Sequence, residues 1–298
     1  MSNALAITTE MDYATIAALT GQDMGSSGGL PHLRANRAPQ DENGNPLPLG
    51  AFSLQNADGV TVYAAEEKTQ GKRTITVPKP IIFRPFVNAY QYSVYDNETK
   101  TTTNRSIIFT DHRQDAIDEK GGNKCGKITG KAKEGLSDAV KAVQKNIKCH
   151  RLLFGLVKGF TGIDAEGNEV AVDDTPVLYK QGGSSFMAFQ DMVLNQLNKV
   201  KRPMFMHELE LITERIAHTP DVIGYEPRYS LDITKSVPST PKDMELFRDF
   251  AEYITVTNDS IKAKASDAQK GITTSRDAED AKVINSLDDD FADELPWT

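Results

Sequence analysis

The sequence predicts a mainly β, α+β fold: a barrel of short strands elaborated by helices and followed by a disordered acidic tail. Three observations carry that expectation. Between residues 51 and 110, short runs rich in β-branched and aromatic residues recur at close spacing, as in a small barrel or sandwich. Three later stretches repeat their apolar residues at helical spacing instead. After about Asp259 the periodicity stops, and Ala, Ser, Lys, Asp and Thr dominate as far as Ser286. Such a segment buries too little apolar surface to offset the entropy of ordering. The expected division is a flexible segment over 1–29, a core over 30–258, and a linker with tail over 259–298.

Met11–Leu19 could form a brief helix. Gly21–Gly29 reads as a linker rather than a P-loop, because no strand precedes it and no Lys-Ser or Lys-Thr follows. Asp41–Asn45 holds an Asn-Gly turn, with a strand starting near Gly50-Ala51-Phe52. Val60–Ala64, Ile75–Val77, Ile81–Tyr95 and Ser106–Thr110 read as strands, with Asp96–Lys100 as a loop. Within the third, Phe86, Tyr90, Tyr92 and Val94 share one parity, and so one face of an extended chain.

Gly121–Lys127 is a basic, glycine-rich loop. A helix is expected over about Lys133–Lys148, burying Leu136, Val140, Val143 and Ile147 and turning Lys141, Lys145 and Lys148 outward. Strands follow at Cys149–Phe160, Glu169–Val172 and Val177–Tyr179. A serine-capped helix after Gly183 has Phe186, Phe189, Val193, Leu197 and Val200 as its inner face. Pro203–Leu211 alternates like a strand, as does Tyr225–Ile233. Thr240-Pro241-Lys242-Asp243 combines cap, first-turn proline and early acid, the start of a helix that buries Phe247, Phe250 and Ile254.

The 298 residues supply ample apolar material for a core. No apolar run approaches the ~20 residues that span a bilayer. Met1–Ala14 lacks the basic-then-apolar pattern of a secretory leader. Two cysteines, Cys125 and Cys149, make no disulfide framework and fit a reducing compartment, so a cytoplasmic location is expected. The formal charge of −8 hides a strong polarity. Residues 277–298 hold eight acids and one base, a net of −7, whereas residues 119–158 hold ten bases and three acids, a net of +7.

The last residues carry the most specific pattern: Asp288, Asp289, Asp290 and Phe291, then Asp293, Glu294, Leu295, Pro296 and Trp297, with Thr298 at the end. An acidic run with an apolar–Pro–aromatic tip resembles the C-terminal tail of bacterial single-stranded DNA-binding proteins, which ends Asp-Asp-Asp-Ile-Pro-Phe. Phage replication proteins of the T4 and T7 kind also finish in acidic tails. Here Thr298 follows the aromatic residue, where the bacterial tail ends on it. The resemblance covers about a dozen residues. It implies an OB-like core that binds single strands without sequence specificity in replication or recombination, in a phage and hence in the host cytoplasm. The tail would recruit a polymerase or helicase-primase, and no reaction would be catalysed.

Single-strand binding needs cations for phosphates and π-faces for unstacked bases. The expected phosphate contacts are Lys124, Lys127, Lys131, Lys133, Lys141, Lys145 and Lys148; the expected stacking group is Arg84, Phe86, Tyr90 and Tyr92. The competing reading makes the aromatic stripe barrel core and the lysines a solvated face. A −7 tail tethered to a +7 groove would compete with DNA, and more weakly as salt rises.

No cofactor is expected. His112, Cys125, Cys149 and His150 could assemble a zinc set, but no Cys-x-x-Cys pair is present and adjacent Cys149 and His150 cannot easily both ligate from one strand. His207 reads as a core histidine. The alternatives are a metal-dependent nuclease using Asp115/Asp118 or Asp173/Asp174, and a protein-interaction adaptor.

Overall fold

The computed structural model describes residues 30–272, except 41–43, 57–58, 71–72, 97 and 220–221. The Met11–Leu19 helix, the Gly21–Gly29 linker and every tail residue from Asp288 to Trp297 lie outside the described residues. Contacts divide the chain between Leu30 and Pro31, and the elements below belong to the second unit.

The strands are β1 (His32–Ala35), β2 (Phe52–Gln55), β3 (Thr61–Tyr63), the hairpin of β4 (Ala65–Gln70) and β5 (Arg73–Pro78), then β6 (Ile81–Asp96) and β7 (Thr101–Arg105). Helix α1 (Asp138–Asn146) leads directly into β8 (Ile147–Val157), followed by β9 (Phe160–Ile163), β10 (Glu169–Val172) and β11 (Thr175–Gln181). Helices α2 (Ser184–Phe189) and α3 (Asn195–Val200) run on through a π-turn at Gln190–Leu194. The hairpin β12 (Leu209–Thr219) and β13 (Val222–Leu231) precedes α4 (Pro241–Ile272).

The protein is mainly β. One large sheet runs β10-β9-β3-β2-β1-β11-β8-β6-β12-β13, with β7 added alongside β6. Its outermost strands, β10 and β13, do not pair with each other, so the sheet is open. It is nevertheless strongly curled. Leu33, Phe52, Val62, Phe83, Leu153, Tyr179, Leu209 and Tyr229, drawn from both ends of the strand order, meet in one core. Phe189, Val193 and Leu197 of the α2–α3 run close that core. Across the curl, the Thr213 hydroxyl donates to the Gly50 carbonyl at 2.6 Å. Gly50, at a φ of +78°, lies so close to the Tyr225 ring that a Cβ would collide with it.

A single irregularity allocates the two faces of β6. The register against β8 shifts between Pro85 and Val87, leaving Phe86 as the extra residue of a bulge. Phe86, Tyr90 and Tyr92 therefore do not share a face, although their parity is the same. Phe86 packs on α4 against Phe247 and Phe250, with ring centroids 5.0 and 5.9 Å away. Tyr90 and Tyr92 lie on the opposite side with Phe109. A slip of one residue exchanges the faces of everything beyond it.

Several sequence expectations need correcting. The helix expected over Lys133–Lys148 spans only Asp138–Asn146, capped by Ser137. None of its residues is buried; Val140 and Val143 are exposed, whereas Ile147 and Lys148 already belong to β8. Ser106–Thr110 forms isolated bridges rather than a strand. Residues 203–208 hold a 3₁₀ turn, and the strand begins at Leu209. The largest change is at the C-terminal side of the core. α4 continues past Asp259 to Ile272, burying Ile261 and Ala265 one turn apart. Asn258, on the same side, exchanges hydrogen bonds with both the N–H and the C=O of Ile108. One apolar contact per turn is enough to hold this segment, which is why its composition read as linker.

Candidate functional site

The proposed stacking group divides into structural roles. Arg84, 4% exposed, forms a bidentate ion pair with Asp243, both bonds 2.9 Å, and its Nε donates to the Phe205 carbonyl. Asp243 accepts from the Thr240 N–H in turn, so the same carboxylate caps α4. Arg84 thus ties β6 to the start of that helix and has no donor group left over in solvent. Phe86 is enclosed by the rings of α4 and Phe205. Tyr90 and Tyr92 are 7% and 8% exposed. Tyr90 lies between the His112 ring, 3.9 Å away, and the Arg151 guanidinium at 5.4 Å. Tyr92 stacks on Phe109, and burial raises its hydroxyl's pKa. Rings this enclosed offer no free π-face in the described state. In the described state Arg84, Phe86, Tyr90 and Tyr92 are all enclosed by the protein itself.

Arg151, which the sequence did not single out, is 1% exposed. It donates to the side-chain oxygens of Asn88 and Gln190, each at 3.0 Å, and sits over Tyr90, Phe186 and Phe189. No carboxylate pairs with it among the described residues. Desolvation pulls its pKa below the usual arginine value. Its Gln190 partner opens the π-turn, which places that side chain over the cation.

The lysines divide as well. Lys124 donates to the His112 carbonyl at 3.0 Å, and Lys127 to the carbonyls of Gln144 and Ile147 at 2.9 and 3.0 Å, closing the end of α1. Those two amines hold loops together. Lys133, Lys141, Lys145 and Lys148 are exposed; Lys141 reaches Asp138 at 3.6 Å, and the other three have no ion pair among the described residues. Lys131's side chain lies outside the described residues. Desolvation, then the charges of Lys133 and Lys148, lower the pKa of Lys127. Lys148 does not belong to a helical ridge with Lys141 and Lys145, because it projects from β8 instead.

Strand pairing brings in cations that sequence reasoning missed. Lys180 on β11 is held below the ordinary lysine value by partial desolvation and then by Arg105 and Arg34. His150, hydrogen-bonded to the Ser93 hydroxyl at 2.9 Å, is lowered to about 4 by burial and then by Lys180, with Lys148 adding to the effect. His32 is lowered by burial, Arg34 and Lys180. These residues come from separate parts of the chain, so no local motif could have revealed them.

Three of the four carboxylates considered for a nuclease accept hydrogen bonds within the fold. Asp118 accepts from the N–H groups of Lys120, Gly122 and Cys125, which shapes the glycine-rich loop. Asp115 accepts from the Asn123 amide, and Asp174 from the Gly159 N–H and Lys158. Cys149 and His150 are successive residues of β8 and face opposite sides of it, so one metal ion cannot take both. His207 is buried ahead of β12. Among the described residues no helix is long and apolar enough to cross a membrane.

No family model matches the chain, and no curated protein or solved structure matches it either.

Proposed function

We propose that the protein binds single-stranded DNA without sequence specificity, in phage replication or recombination, and that its acidic C-terminal stretch competes with DNA and recruits a polymerase or helicase-primase. The observation that carries this reading is electrostatic. Lys133 and Lys148 are exposed, have no ion pair among the described residues, and their charges act on the partly desolvated Lys127, in a chain whose residues 277–298 sum to −7. Uncompensated cations on one side and a tethered polyanion on the other are the ingredients of a groove that DNA and tail exchange. An OB-like reading of the core draws support from the curl of the sheet, which gathers strands from both ends of its order around one apolar centre. The Leu295-Pro296-Trp297 tip, flanked by acids, suits a partner's apolar pocket rimmed by Lys or Arg.

The test is removal of residues 287–298 from the full chain. Fluorescence anisotropy with a labelled oligothymidylate at 50 and 200 mM salt should show tighter binding than the full chain at low salt and convergence at high salt. Weaker binding on truncation overturns the competition. Absence of binding by either chain overturns the DNA-binding reading itself.

A further inference from the structure

The outer side of the β6–β8 ladder has two halves. Around Arg84 and Phe154 it lies under α4, whose Asp243, Phe250 and Tyr253 contact it. Towards the other end the strand register sets the occupants of the same face. Leu152 opposes Lys180 on β11, and Lys148 opposes Ser93 on β6, which opposes Arg105 on β7. The parallel pairing of His32 with Leu178 places Arg34 beside Lys180. Two residues beyond Ser93 on that face stands Tyr95, 38% exposed.

We infer that single-stranded DNA runs across this half of the sheet face, with the exposed Arg34, Lys180, Lys148 and Arg105 holding its phosphates above the buried Gln91, Ser93 and Leu152, and Tyr95 stacking a base. The inference rests on the DNA-binding reading and moves its site from the α1 ridge to the strands. Four observations favour it. The cations span β1, β11, β8, β6 and β7, about 19 Å at the usual strand spacing, which suits a strand's backbone rather than a single anion. No acidic residue occupies this face of β1, β11 or β8, or of β6 from Ala89 to Tyr95. Of the four cations only Arg105 has an ion pair among the described residues, to Glu119 at 3.2 Å. An exposed ring on the same face supplies the π-surface that Tyr90 and Tyr92, on the other side, cannot. By contrast, α1 offers Lys141, already paired with Asp138, and Lys145, beside the exposed Val140 and Val143.

The experiment compares two neutralised pairs in the full chain, Arg34→Gln/Lys180→Gln and Lys141→Gln/Lys145→Gln, by oligothymidylate anisotropy over a salt series. The strand-face pair should lose more than about tenfold in affinity and about 1.4 in the slope of log K against log salt, from two single-strand phosphate contacts. The helix pair should change affinity less than about threefold. Tyr95→Leu should lower affinity about tenfold at every salt concentration, leaving the slope unchanged. Equal losses from the two pairs, or an unchanged slope for the strand-face pair, overturn the assignment while the DNA-binding reading stands. No binding by the unmodified chain overturns both. Thermal melts accompany each variant. If the double variant melts early, Lys180→Gln alone, which alters one exposed amine, decides with an expected slope loss of about 0.7.

Discussion

The two faces of the β6–β8 ladder both carry positive charge, in opposite physical states. On the inner face Arg151 is stripped of water and held by two amide oxygens and three rings. On the outer face Lys148 and Lys180 are exposed, Lys180 only partly desolvated, and both act on the ring of His150. Successive residues of β8 alternate between these environments, so Lys148, His150, Cys149 and Arg151 divide two and two. Charge on the inner face organises packing. On the outer face, beyond the part that α4 covers, Lys148 and Lys180 have no ion pair among the described residues.

The contrast sharpens when the buried arginines are compared. Arg84 has a carboxylate; Arg151 has none. Arg84→Met strands Asp243, 3% exposed, as an unpaired buried charge. That should cost about 3–5 kcal/mol in urea denaturation, the largest single effect expected here. Arg151→Met leaves only the neutral side chains of Asn88 and Gln190 without a donor and relieves the desolvation of a cation. Its cost should be about 1–3 kcal/mol. Equal losses would mean that Arg151 is compensated by an acid after all, and the distinction between the faces would fail.

A smaller effect separates the faces by pH. His150 has a folded-state pKa of about 4, below the ordinary 6.5, because it is buried and faces Lys180 and Lys148. The folded protein therefore resists protonating this ring, whereas the unfolded chain accepts a proton below about pH 6.5. Stability should fall as pH drops from 6.5 towards 4 and stop falling from this source below that. The shift corresponds to about 3 kcal/mol at most, and to about 2 once the ring's partial exposure is allowed for. Comparing the full chain with His150→Gln by denaturation at pH 7 and pH 4 isolates the contribution, since His32, His112 and His207 are lowered in both proteins. Parallel losses in the two would show that the outer face exerts no such field.

How far the sequence reveals this arrangement depends on the range of the signal. Thr240-Pro241-Lys242-Asp243 announced α4 because a cap is a local device, and the Phe186-to-Leu197 stripe announced the α2–α3 run for the same reason. Parity along β6 misled because the bulge at Phe86 is fixed by pairing with β8, which no local pattern records. The grouping of the outer-face cations was illegible for a related cause, although Lys148 itself was among the expected contacts. His32, Arg34, Lys148 and Lys180 become neighbours only through the β1–β11 and β11–β8 registers. The lysine count near residue 140 was legible, but not its division between loop carbonyls, helix and strand.

Helix α1 offers the finest comparison between expectation and structure, and the smallest effect. Its sequence stripe of Leu136, Val140, Val143 and Ile147 predicts that Val143 is core. In the fold Val143 is 59% exposed, because the helix ends at Asn146 and the chain turns into β8 before the stripe can be covered. The two placements differ in energy. Truncating a buried valine removes contacts and leaves a cavity, at a cost well above 1 kcal/mol. Truncating an exposed valine in a helix loses little packing and gains a few tenths of a kcal/mol in helix propensity. Val143→Ala should therefore lie within about 0.5 kcal/mol of the unmodified protein in urea denaturation. A loss above 1.5 kcal/mol would put Val143 under cover, and would give α1 a docked inner face like that of α4.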